Sequence, residues 1–331
     1  MTDLVVEKNA IAIGTHGRSF YVMDDISALR QSGGAAAVGD VLLYKPADVV
    51  RGLERAGFSY FLKAQPENLR IDVLDAKGQV MRTINGLPPP KPGEKPAAGG
   101  GGGGGEGGGF GGGPQGAPMA AGMNRYTWDL NSTPVVSFQG MILWGATQSG
   151  PMVLPGTYSV RLTVDGTEQS QSFAIAKHPL RPISDADLQY QWDLASRIRD
   201  KVNEANRAVI NIRRIKSDIT ARTKDAPKEV QDAGAKLAQA LSVIEEDVYQ
   251  VRNQSGQDPL NFPIKTNNRL ASLLRVTVTG EGRPTGNVET IFADLVQELK
   301  TETDRLDRVY AADLEAFNRM LERNKRQAIK P

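Results

Sequence analysis

The chain reads as a multidomain protein, mainly β in its first half and all-α in its second. Short apolar runs separated by Gly, Pro and Asn fill residues 1–176, whereas from Ser184 onward apolar residues recur every three or four positions. Between two of the strand-like runs, residues 88–122 form a proline-rich and then glycine-rich stretch without any apolar pattern.

Residues 1–25 predict three short strands: Leu4-Val5-Val6, then Ile11 and Ile13 around Ala12, then Phe20 and Val22 around Tyr21. Glu7-Lys8-Asn9 and Gly14-Thr15-His16-Gly17-Arg18 supply the turns. A sheet this small is marginal in water by itself, so the segment needs a partner sheet. Asp25 to Arg30 reads as a helical turn.

Residues 40–176 carry seven further strand candidates, at 41–44, 58–62, 69–74, 80–84, 124–128, 158–164 and 171–175. Asp75-Ala76-Lys77-Gly78 and Asp165-Gly166 are hairpin signals. Strands at this spacing point to an antiparallel sandwich. The Pro/Gly stretch buries too little to offset its ordering entropy and reads as a disordered loop between two strands. Its glycines lack the Lys-Ser/Thr pair of a phosphate-binding loop and the strand–turn–helix frame of a dinucleotide site.

The helical half opens at Ser184, a candidate N-cap with Asp187 three residues on. Ala195, Ile198, Val202, Ala205, Val209 and Ile212 make a narrow apolar seam. Pro227 suits the first position of a second helix, whose seam runs through Val230, Leu237, Leu241, Ile244, Val248 and Val251. Leu270, Leu273 and Leu274 predict a short third helix ending near Gly280. A final helix from about Thr285 carries Val288, Phe292, Leu295, Leu299, Leu306, Val309, Phe317 and Leu321. Antiparallel packing into a bundle over 184–331 is the simplest way to bury these seams.

Composition narrows the function classes. The 331 residues carry a net charge of +2, which demands neither nucleic acid nor an anionic membrane as partner. Cysteine is absent, which excludes a disulfide framework and a thiolate metal site. No apolar run approaches the length of a transmembrane helix. A basic segment followed by an apolar signal core is not visible either; the strand pattern starts at once, which favours a start inside a longer parent over a cytosolic protein.

The chemistry-bearing residues mostly suit structural work. His16 sits in a glycine-flanked turn and His178 in the linker before Pro179, with no metal-ligand spacing around either. Asp24-Asp25, Asp185 with Asp187, and Glu245-Glu246-Asp247 are the carboxylate groups to weigh as an acid–base pair. Caps, turns and, for Glu245-Glu246-Asp247, a solvated helix face are the favoured reading of each. Arg213, Arg214 and Lys216, and then Arg319, Arg323, Lys325 and Arg326, are basic clusters interleaved with acids, which reads as solvated helix faces rather than a nucleic-acid surface. Trp128, Trp144 and Trp192, with Tyr126 and Tyr158, offer a carbohydrate platform or core. The alternation of Tyr126 and Trp128 favours core for that pair. Trp144, in the loop-like stretch 139–145, is the candidate exposed contact. No nucleophile elbow, catalytic set or cofactor motif is present, so no catalytic, cofactor or metal residue is assigned.

Asp3 to Ile26, DLVVEKNAIAIGTHGRSFYVMDDI, resembles the last propeller strands of large bacterial sortilin-like, Asp-box (BNR-type) repeat proteins, which often carry a glycosyl hydrolase or sialidase-like label. Residues 74–83, 124–129 and 154–158 are similar to the immunoglobulin-like fold of flagellar-hook capping proteins, and 183–188 and 260–265 are similar to the tail of the propeller family. The resemblance implies a remnant of a last β-propeller blade at 1–30, an immunoglobulin-like β-sandwich at 40–176 and an antiparallel long-helix bundle at 184–331. It also implies a secreted, periplasmic or cell-surface location. The Asp-box itself, Ser-x-Asp-x-Gly-x-Thr-Trp, is missing, so hydrolase activity is carried over to no residue. The expectation is a non-catalytic accessory region whose partner is the absent propeller or another protein chain, with carbohydrate as a further candidate. The alternative is part of a glycoside hydrolase whose active site lies mainly in that propeller.

Overall fold

The computed structural model describes residues 2–7, 10–32, 39–89 and 116–331. The chain is a mixture of β-sheets and helices, divided into two compact units. Among the described residues, the sheet unit takes in the chain up to Thr133 together with Met152–Pro182. The helical unit comprises Ile183–Pro331 and one segment from the strand half, Pro134–Pro151. That segment lies inside the bounds 40–176 expected for the sandwich.

The sheet unit begins with β1 (Asp3–Val6), β2 (Ile11–Gly14) and β3 (Phe20–Met23), an antiparallel sheet in that order. The turn helix α1 (Ser27–Ser32) follows, its first N–H donating to Asp25 Oδ1 at 2.9 Å. Two larger sheets come next. One has the order β10 (Gly122–Trp128), β6 (Ala56–Leu62), β4 (Val41–Leu43). The other joins β5 (Val49–Val50), β12 (Thr167–Ala176), β11 (Gly156–Val164), β7 (Leu69–Leu74), β8 (Val80–Leu87) and β9 (Ala117–Pro118).

Burial alternates along β11, whereas β6 is buried almost throughout. Phe58 and Tyr60 of β6 and Val160 and Leu162 of β11 are inaccessible to solvent, and in β11 the intervening Ser159, Arg161 and Thr163 are half-buried. The two sheets share one aromatic cluster: the Trp128 ring centroid lies 6.2 Å from Phe58, 6.4 Å from Tyr158 and 6.5 Å from Phe173. The β11–β12 hairpin turns at Asp165 and Gly166, with φ of 45° and 87°, the left-handed pair that a two-residue hairpin needs. Most of the Pro/Gly stretch, residues 90–115, lies outside the described residues. Residues 116–122, expected to belong to the loop, include the buried Ala117 and Met119, and β9 there pairs with β8.

The helical unit is built on α2 (Asp185–Thr223), which at about 1.5 Å per residue is close to 60 Å long. Ser184 caps it as expected: its Oγ accepts the Asp187 N–H at 3.0 Å and donates to the Asp187 carboxylate at 2.7 Å. These bonds, with the Arg283 guanidinium beside them, hold the Asp187 carboxyl below the usual range. Asp187 therefore stabilises the fold fully above its unfolded pKa and ceases to do so as pH falls through the lower folded value. The stability difference between wild type and Asp187→Asn should close in acid, followed by thermal melts across pH 2–6. Ser184→Ala should lower the midpoint at neutral pH by roughly 2–4 °C.

The helix α3 (Lys228–Val248) returns against α2: Ile219 and Thr223 meet Gly234, while Arg213 and Lys216 reach Glu245. A methyl group on Gly234 would lie 2.6 Å from Thr223 Cγ2, so the close approach requires glycine there. Pro227 immediately precedes this helix rather than opening it, and Val251, beyond its end, is exposed rather than part of the seam. The remaining helices are α4 (Thr266–Val278), α5 (Gly286–Val309) and α6 (Glu315–Arg323). A single π-helical turn, Tyr310–Leu314, joins α5 to α6. It carries one extra residue, so the buried positions Leu306 and Leu314 are eight apart where a heptad would give seven.

The unit has two apolar clusters. Leu194 to Val209 of α2 pack with Leu270 and Leu274 of α4 and Phe292 and Leu299 of α5. Farther along α2, Ile212 to Ile219 pack with Leu237 and Ile244 of α3 and Phe317 and Leu321 of α6. No helix among the described residues is long and apolar enough to cross a membrane.

Candidate functional site

The segment Pro134–Pro151 contains no helix or sheet strand, so its backbone polar groups need partners elsewhere. Side chains of the helices supply them. Asn203 Oδ1 accepts the Val136 N–H at 2.6 Å, and Asn206 Nδ2 donates to the Val136 carbonyl at 2.7 Å. Asn268 makes both bonds to Trp144, accepting its N–H at 2.7 Å and donating to its carbonyl at 2.8 Å. The Tyr249 hydroxyl accepts the Ile142 N–H at 3.1 Å and donates to the Gly140 carbonyl at 3.2 Å.

These groups come from the buried sides of α2 and α4 and from the residue that follows α3. Asn206, Asn268 and Tyr249 are all buried, and Asn267 Nδ2 donates to Asn206 Oδ1 at 3.1 Å. Apolar anchors complete the site. Val135 and Met141 are buried in the cluster of α2, α4 and α5. Phe138 packs edge-on to Tyr249 with centroids 5.0 Å apart, and the Arg213 guanidinium lies 4.7 Å from the Phe138 centroid. The sequence gives little warning of these residues, beyond Asn206 standing next to a seam position of α2.

The residues singled out from the sequence are distributed as follows. Trp144, the candidate exposed contact, is half-buried in this segment, its backbone held by Asn268. Trp128 is fully buried, with its indole N–H donating to the Asn131 carbonyl at 2.8 Å. Tyr158 is buried beside it, and that burial pushes its hydroxyl pKa up to about 12. Tyr126 and Trp192 are half-buried. His16 is exposed at its turn, and His178 is buried in the linker, where its Nδ1 accepts the Leu180 N–H. Asp25 caps α1 and pairs with Arg125 at 3.2 Å.

Two readings of charge need correction. Glu245 is buried, not solvated, because it bridges Arg213 Nε at 2.6 Å and Lys216 Nζ at 3.0 Å. Those two bases are thus engaged in the fold rather than presented as a basic face. Arg326 donates to the carbonyls of Arg222, Lys224 and Asp225, so it caps the C-terminal end of α2 rather than standing on a solvated helix face. Among the described residues, no group of three or more His, Asp or Glu side chains is placed to hold a metal ion.

A second surface stands out in the sheet unit. Register places Leu4, Val6, Ile11, Ile13, Tyr21 and Met23 on one face of the β1–β2–β3 sheet, and Val5, Ala12, Phe20 and Val22 on the other. None is buried, and Phe20 is 81% exposed. The Met23 end adjoins a groove of about 460 Å³ lined by Leu29, Phe61 and Met123.

No family model matches the chain, and no curated protein matches it. Among solved structures, the crystal structure of CopC from Methylosinus trichosporium OB3b is similar over 43% of this chain and 98% of that one, at 13% identity and a TM-score of 0.22.

Proposed function

We propose that this chain is the non-catalytic accessory region of a larger exported β-propeller protein of the sortilin-like, Asp-box class. In this reading β1–β3 are strands of a last propeller blade. The two larger sheets form an immunoglobulin-like sandwich, and the helices form an antiparallel bundle. Sandwich and bundle brace the propeller or present it to a partner protein at the cell surface or in the periplasm.

The observation that carries the reading is the β1–β3 sheet, apolar on both faces yet unburied. A sheet exposed to water on one side alternates apolar with polar residues, whereas one covered on both sides reads as continuous apolar runs. Blades of a propeller are covered in this way by their neighbours. The resemblance of residues 3–26 to such strands agrees with the pattern.

Hydrogen exchange tests the proposal. The amides of Val5 to Val22 should exchange fast in this chain, while those of Ile198–Ile212 and Leu237–Val248 stay protected. Deleting residues 2–23 should raise solubility and leave the main melting transition in place; the cut stops there because Ile26 is buried. Protection of Val5 to Val22 equal to that of the helices would mean the strands belong to the neighbouring sheets, and the blade reading would fall.

A further inference from the structure

We propose that the helical unit is a receptor for the main chain of an irregular, turned polypeptide loop, and that Pro134–Pro151 of the same chain is its ligand. The inference is independent of the accessory-region reading.

Main-chain recognition follows from which atoms are bonded. Six backbone groups of the segment, the N–H and C=O of Val136 and of Trp144, the Gly140 C=O and the Ile142 N–H, bond to Asn203, Asn206, Asn268 and Tyr249. Asparagine presents an acceptor and donors in one plane, as a peptide group does. Asn268 therefore stands where a neighbouring strand would stand, paired in both directions with one residue. Such contacts are indifferent to the side chain of the residue they hold, as in strand addition to a sheet edge.

The main chain of the segment supplies partners to amides that are buried in the folded chain. Asn206 is 0% exposed and Asn268 3%, and a buried amide without partners is costly. Order in the segment comes mainly from these helices: its own recorded main-chain bonds are Val135 N–H to Gln148 and Met141 N–H to Phe138. Selectivity lies at a few anchors, with aliphatic side chains at Val135 and Met141 and an aromatic at Phe138 against Tyr249 and Arg213.

The test uses the full chain with residues 135–149 replaced by a Gly/Ser segment of equal length, and a fluorescent synthetic peptide of residues 134–151. Saturable binding by anisotropy is expected. Where loss of the segment loosens the helices, peptide-induced gain of far-UV helical signal reads the same event. N-methylation of the peptide at Val136 and Trp144 removes two donors without changing side chains and should weaken binding at least about tenfold. Asn268→Leu in the receptor should weaken the parent peptide likewise, and the peptide substitution Ile142→Ser should weaken it less than about threefold. Absence of both binding and helix gain overturns the proposal. So does an N-methylated peptide that binds as tightly as the parent, because apolar side chains alone would then account for the contact.

Discussion

Trp128→Ala should destabilise the sheet unit by about 3–5 kcal/mol, the cost of emptying a large aromatic site in a packed core. The ring is fully buried, contacts Phe58, Tyr158 and Phe173 across the two sheets, and spends its indole N–H on the Asn131 carbonyl. Urea unfolding followed by far-UV circular dichroism reads the change as a shift in midpoint at constant slope. Trp128→Phe keeps most of the ring volume and should lose less. A loss under about 1 kcal/mol for Trp128→Ala would show that the cluster is not the packing centre.

Asn206→Leu should cost roughly 1–4 kcal/mol although it adds apolar surface, because it takes a partner from one buried amide, at about 1–3 kcal/mol, and from one part-buried carbonyl, at less. One is the Val136 carbonyl and the other is Asn267 Nδ2, both bonded to the Asn206 amide. The double variant Asn206→Leu with Asn267→Leu removes both ends of the inter-amide bond. It should therefore cost less than the two single changes added together, and the difference measures their coupling. Additive losses would show that the two amides do not act as a pair.

The elements of this fold were legible in the sequence where burial imposes a period. Six of the seven strand candidates between 41 and 175 fall within β6, β7, β8, β10, β11 and β12, the first overruns β4 by Tyr44 alone, and Ser184 and Thr285 stand at the N-caps of α2 and α5. The strands β5 and β9 are two residues each, too short to show alternation. The candidate site was not legible for a different reason. Pro134–Pro151 is held by individual amides and a hydroxyl from distant helices, and a partner bonded through backbone atoms leaves no pattern in the partner's side chains. Trp144 stood out as an aromatic in a loop-like stretch, whereas the informative atoms at that position are its N–H and C=O. Glu245 looked solvated beside Glu246 and Asp247, because only tertiary packing places Arg213 and Lys216 around it.

The π turn at Tyr310–Leu314 makes chain length, not chemistry, the variable that the last helix tolerates. Loss of one residue inside an ordinary α-helix rotates everything beyond it by about 100°, which would carry Phe317 and Leu321 out of the core. Loss of Ala311 or Ala312 would instead convert the wide turn into a regular one and restore the seven-residue interval between Leu306 and Leu314. A one-residue gap at this point is thus absorbed as a change of local winding, and the face that α6 turns to α3 is kept.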